Sequence, residues 1–546
     1  MTAAATNEAV LASTKAMIDG LKTVCANAGL ANDSSEYKII TEAFLYKFLN
    51  DKFIYDLRQL DEFKDVENIE EAYAAMPEDE RELALISLRA DTARLRPEYL
   101  LSTLFNKQNE EGFAEAFDAA LRGIADDNMD IFSVKTGEGQ AIRLFNGVSA
   151  FILEQNRRDA FCRSLVNKLA EFSFEQVFAQ KYDFFSAVFE YLISDYNKDS
   201  GTYGEYFTPH SIATIIARIL VPEDAKNVTV YDPAAGTGTL VLAAAHRIGE
   251  ERCTIYTQDR SQKANEFMRL NLILNNLVHS LPHVVSDDTL ASPRHLENND
   301  KAIKRFDYIV SNPPFKADFS DTRDALAGDA YKTRFWAGVP NITGKPEKME
   351  IYLMFLQHIV ASLADGGRAA VVVPTGFLTA KGKIPLAIRK RLVDEKMLRG
   401  VVSMPSNIFA NTGTNVSIVF IDASEEREGA LLMDASKLGE KRKVDGKNQR
   451  TFLNDDEIER IVGVFNAAEV QDDFSVQVPY GDIAAKGYSF SAGQYFEVKI
   501  DYVDLTPEEF NTELEARMTR LRELFAEGDR LQDEIERQLK QVRFDG

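Results

Sequence analysis

The chain has 546 residues, of which 45% are hydrophobic and 27% charged, and this balance excludes the disordered and collagen-like classes. Its 63 basic residues against 86 acidic ones give a net charge of −23, which excludes nucleic-acid binding by general electrostatics and would require a local basic surface or a partner. Three scattered cysteines, with neither a signal peptide nor an apolar run of membrane-spanning length, predict a cytoplasmic protein without disulfides or membrane attachment.

Residues 1–175 predict an N-terminal helical domain. In TEAFLYKFLNDKFIYDL, apolar residues recur at spacings of three, four and seven, as on one face of a helix: Phe44, Leu45, Phe48, Leu49 and Tyr55. A plain helical bundle and a domain that embraces nucleic acid fit this pattern equally well. A further predicted helix, DFFSAVFEYLISDY, leads into the loop DSGTYGEYFTP.

Residues 176–430 predict an α/β domain. Short apolar segments alternate with helices of ten or more residues, which is typical of βαβ units in a doubly wound, mostly parallel sheet. The candidate strands are Val228–Tyr231, Thr254–Thr257, His283–Val285, Tyr308–Val310, Ala369–Val373, Val401–Ser403 and Val416–Ile421. The last two are joined by a loop too short for a crossover helix, so we expect an antiparallel pair at the sheet edge.

The C-terminal part predicts a connecting region, residues 431–505, and a helical tail for partner docking, residues 506–546. The connecting region holds the polar stretch GEKRKVDGKNQRTF and a helix near DDEIERIVGVF. The tail begins with a capping box at Thr506 and has a roughly seven-residue apolar rhythm interrupted by Gly528, consistent with either a partner-helix seam or a helical hairpin. The apolar residues are Leu514, Met518, Leu521, Leu524, Leu531, Ile535 and Val542.

The first motif with chemical meaning is VTVYDPAAGTGTL, in which an apolar strand ends in an acidic residue and a turn of small residues follows. The acidic residue is Asp232, and the small ones, which let a ligand approach the backbone, are Ala234, Ala235, Gly236 and Gly238. The spacing is neither that of a dinucleotide-binding GxGxxG nor that of a Walker loop. A strand-end carboxylate suits a cationic ligand such as S-adenosylmethionine. An ordinary strand-to-helix turn is the alternative.

Two further carboxylates end neighbouring strands. Asp259 follows CTIYTQ, where a carboxylate can accept both ribose hydroxyls of an adenosine, although it could also simply cap a helix. Asp288, in SDDTL, is a candidate for contact with the adenine amino group. Because paired aspartates are common in turns, a structural role is the stronger alternative there.

The most specific motif is FDYIVSNPPF, which delivers Asn312, Pro313, Pro314 and Phe315 at the carboxyl end of a strand, where open α/β sheets bind ligands. The Asn312 side-chain oxygen and the Pro313 carbonyl can accept the two hydrogens of an exocyclic amine. The prolines restrict the backbone, and Phe315 offers a flat face for stacking a base removed from a duplex. A proline-terminated strand without catalytic meaning is the alternative.

Together with EYFTP upstream, DPAAGTGTL and NPPF resemble the motifs of N6-adenine DNA methyltransferases of gamma-type motif order. The resemblance narrows to the modification (M) subunit of type I restriction–modification systems and extends over most of residues 40–500. Three further segments contribute to this narrower resemblance: YKFLNDKF, VFEYLISDYNKDSGTYGEYFTPHSIATIIARIL and DASKLGEKRKVDGKNQRTFLNDDEIERIV. It implies an S-adenosylmethionine-dependent methyltransferase fold and an adenine-specific DNA methyltransferase activity without a metal.

The resemblance also implies roles for residues and partners. Asp232 and the small residues after it match the methionine-side loop, Asp259 matches the ribose carboxylate (often Glu in the family), and Asn312 to Phe315 match the catalytic tetrad. The loop before the first strand matches a cofactor-binding segment: Glu205, Tyr206, Phe207, Thr208, Pro209 and His210. M subunits usually pair around a specificity (S) subunit that reads double-stranded DNA, and an ATP-driven restriction (R) subunit can join them.

Three alternatives stay open at this point. NPP motifs also serve enzymes that methylate protein glutamine or RNA amino groups, and a non-catalytic cofactor-binding scaffold in a defence complex is a further class.

The one notable basic segment is TAKGKIPLAIRKRLVDEKMLR. In it, Lys381 and Lys383 are expected on the ligand side of the sheet, and Arg389, Lys390 and Arg391 on a solvated helix face.

Overall fold

The structure is a computed structural model that describes residues 3–31, 34–136, 140–178, 188, 191, 208–297, 302–342, 344–409, 414–424, 427–444, 448–497 and 506–540. The chain divides into two compact units, with the boundary between Tyr495 and Phe496. The predicted helix DFFSAVFEYLISDY, apart from two of its residues, and the residues Glu205, Tyr206 and Phe207 lie outside the described parts.

The N-terminal part of the first unit is helical, as predicted, with two short strands between its last two helices. The helices are α1 (Ala3–Asn27), α2 (Ser34–Leu57), α3 (Ile69–Ala75), α4 (Glu78–Ser87), α5 (Leu101–Lys107), α6 (Phe113–Asp127), α7 (Met129–Phe132) and α8 (Arg158–Ala170). The predicted helix is present in α2, and Phe44 and Phe48 are buried and meet the ring of Phe174 edge-on at 5.3 and 5.7 Å. Burial is not confined to one face of this helix, because Tyr46, Lys47 and Asn50 are buried as well.

The remainder of the first unit alternates strands and helices. The helices are α9 (His210–Leu220), α10 (Thr239–Ile248), α11 (Gln262–Leu274), α12 (Ser320–Leu326), α13 (Tyr352–Ala361), α14 (Lys383–Asp394), α15 (Asp455–Ala467) and α16 (Tyr480–Ala485). The strands are β1 (Val134–Thr136), β2 (Ala141–Ile142), β3 (Val228–Asp232), β4 (Cys253–Asp259), β5 (Val284–Ser286), β6 (Leu296–Glu297), β7 (Ala302–Ile303), β8 (Phe306–Ser311), β9 (Leu363–Pro374), β10 (Leu398–Ser403), β11 (Val416–Asp422), β12 (Gly429–Asp434), β13 (Glu440–Val444), β14 (Asn448–Phe452) and β15 (Ser475–Pro479).

One large sheet organises this unit, in the order β15-β12-β10-β11-β9-β8-β3-β4-β5-β1-β2. The run from β9 to β1 is parallel throughout. Its strands are rich in buried apolar residues, such as those of 369–373 in β9, because helices cover both faces of a parallel sheet. The predicted doubly wound, mostly parallel fold is therefore confirmed, and every candidate strand overlaps an observed one.

The predicted antiparallel pair is real, but its position at the sheet edge is wrong. β10 pairs antiparallel with β11, Val401 opposite Val419, and β11 lies between β9 and β10. Beyond β10 the sheet continues with β12 and β15. The apolar residues Ala430, Leu431, Leu432 and Met433 of β12 are buried, and adding β12 also pairs the backbone groups that an edge at β10 would expose.

The predicted domains share this sheet. β1 belongs to the predicted N-terminal domain and pairs with β5, while β15, from the predicted connecting region, pairs with β12. The polar stretch of that region forms an antiparallel hairpin, β13–β14, which the sequence pattern did not indicate. The domain limits at 175, 430 and 505 stay a prediction.

The second unit contains one long helix, α17 (Pro507–Leu539). The predicted capping box is present, since the Glu509 backbone N–H donates to the Thr506 hydroxyl at 3.3 Å and the Thr506 N–H donates to the Glu509 carboxylate at 2.9 Å. The helix runs unbroken through Gly528, which rules out the helical hairpin. Across the described residues, every helix is too short or too polar to cross a membrane.

Candidate active site

Neighbouring parallel strands bring the predicted site residues to one edge of the sheet. β3 lies between β8 and β4, so the residues that end these strands or follow them, Asp232, Asp259 and Asn312, share that edge. β5, β9, β10 and β12 run in the same direction and end there too. We call this edge, at the C-terminal ends of these strands, the carboxyl edge.

The loop after β3 depends on two glycines in left-handed backbone conformations. Gly236 has φ 53° and Gly238 has φ 91°. A Cβ at Gly238 would lie 2.6 Å from the sulfur of Met268, so no other residue fits there without displacing that side chain. Within this loop the Thr237 hydroxyl is buried and has no hydrogen-bond partner among the described residues. The loop therefore offers a close backbone surface and one polar atom left for a ligand.

Asp232 is the acidic centre of the site. It is buried, and its Oδ1 accepts hydrogen bonds from the Ala234 N–H and from the Ser311 hydroxyl, both at 2.9 Å. Burial raises the pKa of Asp232 to about 7, and the nearby charge of Asp259 contributes to this rise. Ser311 directly precedes Asn312, so this hydrogen bond connects the predicted cofactor loop with the predicted catalytic motif. Sequence reasoning missed Ser311, whose only signal was its position next to NPP.

Asp259 fixes the same loop from the neighbouring strand. Its Oδ2 accepts a hydrogen bond from the Gly236 N–H at 2.9 Å, and its Oδ1 accepts one from the Ser261 N–H at 2.8 Å. Burial raises the pKa of Asp259 above its ordinary range. Each carboxylate oxygen can accept a second hydrogen bond. The predicted ribose contact is compatible with this geometry and stays a prediction.

Asp288 caps a turn next to the loop, which is the structural role that sequence reasoning named as its alternative. Its Oδ1 accepts hydrogen bonds from the N–H groups of Leu290 and Ala291 at 2.9 and 3.0 Å. The hydroxyl of the adjacent Thr289 donates to the Pro233 carbonyl at 2.6 Å. The turn is thus attached to the Asp232 loop, and the predicted contact of Asp288 with an adenine stays a prediction.

A buried hydrogen-bond network supports the turn that contains Asp288 and Thr289. Arg334 donates to the carbonyls of Thr289 and Leu290 at 2.7 and 2.8 Å and, through Nε, to His358 Nδ1 at 3.1 Å. Because Nδ1 accepts, the ring proton lies on Nε2, which donates to the Tyr231 hydroxyl at 3.1 Å. Burial, together with the Arg334 charge, lowers the pKa of His358 well below its ordinary value and keeps the ring neutral. Sequence reasoning did not find these residues.

Asn312 is oriented by a residue on the other side of the site. Its Nδ2 donates to the Thr208 hydroxyl at 3.2 Å, and Thr208 is buried just before the start of α9. This hydrogen bond turns the Asn312 side-chain oxygen away from Thr208. Pro209 is the N-terminal cap residue of α9, and His210 begins that helix. Of the three predicted loop residues that the structure describes, Thr208 donates no bond to the motif but accepts the one from Asn312.

Phe315 stands beside this acceptor. The side chain is half-buried, and its ring meets Tyr352 edge-on, with centroids 6.4 Å apart and planes at 78°. Pro313 is buried and Pro314 is exposed. Support from Tyr352 holds the Phe315 ring in one orientation while part of its surface stays accessible.

The basic segment after β9 is only partly as predicted. Lys381 and Lys383 are exposed near the carboxyl edge, but the prediction that Arg389 lies on a solvated face is wrong. Arg389 is 1% exposed and donates to the carbonyls of Phe377, Ala380 and Tyr488 at 2.5, 2.6 and 2.7 Å. A guanidinium has enough donors to pair with three carbonyls, two in the segment after β9 and one in the segment after α16.

Comparison with known proteins finds a matching family model and similar methylase subunits. The family model for N-6 DNA methylase matches residues 180–501. A type I restriction enzyme MpnII methylase subunit of Mycoplasma pneumoniae is 26% identical over 447 residues, covering 79% of each chain. The MjaIX methylase subunit of Methanocaldococcus jannaschii is 26% identical over 396 residues, covering 70% of this chain and 67% of its own.

Among solved structures, a type I restriction-modification system methyltransferase subunit from Streptococcus thermophilus has the same fold, with a TM-score of 0.72 at 22% identity over 89% of this chain and 100% of that one. The methyltransferase fold predicted from the sequence is therefore confirmed. Because the family model covers more than half of the sequence, the chain belongs to the N-6 DNA methylase family, and the predicted likeness to the modification subunits of type I restriction–modification systems is confirmed.

Proposed function

We propose that this protein transfers a methyl group from S-adenosylmethionine to the N6 amino group of adenine in double-stranded DNA, as the modification subunit of a type I complex. One observation carries the proposal. Asn312, oriented by Thr208, is joined through Ser311 to the buried carboxylate of Asp232. An acceptor suited to an amine and an acidic loop suited to a cation thus lie at the ends of adjacent strands.

The loop after β3 fits S-adenosylmethionine, whose sulfonium supplies the methyl carbon when it is bound. Asp232 would neutralise the cationic methionine part, and Asp259 would accept from the ribose hydroxyls. The raised pKa values of both carboxyls show that burying their charges is unfavourable without a compensating cation. The Thr237 hydroxyl, which has no hydrogen-bond partner among the described residues, adds one polar atom that a ligand can engage.

The catalytic task of Asn312 is to orient the adenine amine. The Asn312 Oδ1 and the Pro313 carbonyl would accept the two N6 hydrogens, which aims the nitrogen lone pair at the methyl carbon. As the N–C bond forms, the bond from the methyl carbon to the sulfonium sulfur would break, with its electron pair left on sulfur in a neutral thioether product. The surplus proton on the nitrogen would then be released to solvent. Phe315, held edge-on by Tyr352, would stack on the target base once it has left the duplex.

Sequence recognition would come from a partner. The net charge of −23 makes strong unaided binding to DNA unfavourable. We therefore propose that the chain assembles with a specificity subunit and a second M subunit, and with an R subunit in a restricting complex. This assembly would be located in the cytoplasm.

The direct test of this function is to sequence genomic DNA for N6-methyladenine in cells with the gene, without it, and with the Asn312→Ala variant. We expect one methylated motif that disappears in both altered strains. Unchanged adenine methylation, together with loss of methylation on a protein glutamine or an RNA, would assign the transfer to a different substrate.

For the cofactor we expect Asp259→Ala to weaken S-adenosylmethionine binding by about 2 kcal/mol, or roughly 30-fold, because charge-assisted hydrogen bonds are lost. Calorimetric titration measures this. Asp434→Ala is the matched control, since Asp434 also ends a strand of the sheet and accepts from the N–H two residues on, Ser436, at 3.0 Å. Equal affinities of the two variants would move the ribose site elsewhere.

A pH dependence should follow from Asp232. Its pKa of about 7 in the free protein means that the carboxyl is protonated in more acidic solution, and a cationic ligand then has to displace that proton. We expect the affinity for S-adenosylmethionine to fall by up to about tenfold per unit as the pH drops below 7. Titration at about pH 6 and about pH 8 should show this fall, flattened in Asp232→Asn. A wild-type affinity independent of pH would contradict this role.

A further inference from the structure

The β13–β14 hairpin is a concentrated basic element in an acidic chain. Its two strands carry four basic residues and one acidic residue, Glu440. The basic residues are Lys441, Arg442, Lys443 and Arg450. The three on β13 are exposed. Such a reversal of sign within a protein of net charge −23 suggests an anionic partner.

The base of the hairpin is fixed to the carboxyl edge. The Thr451 N–H donates to the Asn407 carbonyl at 3.1 Å, and its hydroxyl donates to the Ser406 carbonyl at 2.6 Å, in the loop that follows β10. On the other side, the Gly439 N–H donates to the Glu457 carboxylate at 2.8 Å. The hairpin therefore starts from the same edge of the sheet as Asn312.

Strand pairing distributes the charges over both faces of the hairpin. Lys441 and Lys443 lie on the face of Thr451, and Arg442 stands directly opposite Arg450 on the other face. Like charges in directly opposite positions destabilise a ladder. Glu440 pairs with Arg442 at 2.6 Å, so the one acidic side chain of the two strands lies on the arginine face. On the face of Lys441 and Lys443 the two strands carry no acidic residue that would compete with a bound polyanion.

The distance between β10 and β8 places the hairpin within reach of a DNA duplex that lies over the candidate active site. β10 is three positions from β8 in the sheet, which corresponds to roughly 14 Å at the usual interstrand spacing. Over roughly 14 Å of its axis, double-stranded DNA presents about eight phosphates. A duplex that delivers its target base to Asn312 thus has phosphates within reach of the hairpin, and Lys381 and Lys383 lie near the same edge.

We propose that the β13–β14 hairpin binds the phosphate backbone of double-stranded DNA beside the flipped adenine, with Lys441 and Lys443 each neutralising one phosphate. This inference rests on the proposed function for its ligand. It assigns a sequence-independent contact, which holds the duplex over the site while a specificity subunit reads the bases.

The test measures binding of the full chain to a duplex of about 30 base pairs by fluorescence anisotropy, over about 0.05–0.2 M salt. The hairpin variants are the pair Lys441→Gln and Lys443→Gln and the charge-reversed pair Lys441→Glu and Lys443→Glu. The matched control is Lys226→Glu with Arg305→Glu. Both control residues are exposed and precede β3 and β8, at the opposite edge of the sheet, and the control changes the net charge by the same amount as the charge-reversed pair.

We expect the glutamine pair to reduce the slope of log affinity against log salt by about 1.8, the value for two lost phosphate contacts, and to lower affinity at least about tenfold near 0.1 M salt. The charge-reversed pair should lose more, and the control should keep the wild-type slope. Thermal unfolding and S-adenosylmethionine titration should be unchanged in every variant, because the mutated side chains are exposed.

Equal slopes of log affinity against log salt for the hairpin and control variants would overturn the inference. It would be overturned in the same way if the slopes are equal and the hairpin variants lose binding to an acidic protein instead of to DNA. The proposed function is judged separately, by methyl transfer to DNA adenine from the wild-type chain co-expressed with its specificity subunit. If this assembly methylates adenine but the hairpin and control variants show equal slopes, the hairpin inference alone is contradicted. An assembly that neither methylates adenine nor binds a duplex contradicts both.

Discussion

Asn312→Ala should lower methyl transfer to DNA adenine at least about a hundredfold, because removing one group that stabilises a transition state costs that much in other enzymes. The substitution deletes the proposed acceptor for the amine and leaves the Asp232 loop intact, since Ser311, not Asn312, donates to Asp232. We therefore expect S-adenosylmethionine affinity to stay at the wild-type value. Single-turnover transfer of a labelled methyl group, together with calorimetric titration, measures the two quantities.

The hydrogen bond from Asn312 to Thr208 supplies a graded control. Thr208→Ser keeps the accepting hydroxyl and should transfer at nearly the wild-type rate. Thr208→Val has the same size as threonine but frees the Asn312 amide to rotate, so the rate should fall between those of wild type and Asn312→Ala. Near wild-type transfer by Asn312→Ala would show that the amine is oriented by other groups.

Deleting residues 506–546 should abolish assembly with a co-expressed specificity subunit and, with it, sequence-specific methylation. Within α17 the exposed apolar residues recur mostly every three or four positions, with a gap around Gly528. Among the described residues of the second unit, no further helix or strand covers them. The wild-type chain alone should show little sequence-specific methylation. Size-exclusion chromatography of the co-expressed chains, with and without the deletion, measures the assembly.

Point variants separate the apolar stripe from the helix itself. Leu514→Glu with Leu521→Glu places charges within the stripe, whereas Thr512→Glu with Thr519→Glu places the same charges on the opposite face of α17. We expect the first pair to prevent assembly and the second to leave it intact. If a purified chain lacking the tail methylates one defined DNA sequence efficiently, the tail is not a docking element.

The sequence by itself determined the parts of this protein that depend on neighbours along the chain. Apolar runs followed by Asp232, Asp259 and Asn312 placed the strand ends, because burial on both faces of a parallel sheet requires such runs. The capping box at Thr506 predicted the start of α17, since its hydrogen bonds reach only three residues ahead. The motifs also indicated the family, because their residues are close together in the sequence.

Only the tertiary structure decided the contacts between distant segments. Arg334 donates to a carbonyl 45 residues away, and Arg389 to one 99 residues away, so neither partner could be chosen from local pattern. The insertion of β11 between β9 and β10, and the addition of β12 beyond β10, depend on which apolar faces remain to be covered once the other strands have paired. The same holds for the basic hairpin. Its charges are visible in the sequence, but its place at the carboxyl edge depends on hydrogen bonds from Thr451 to a loop more than 40 residues earlier in the chain.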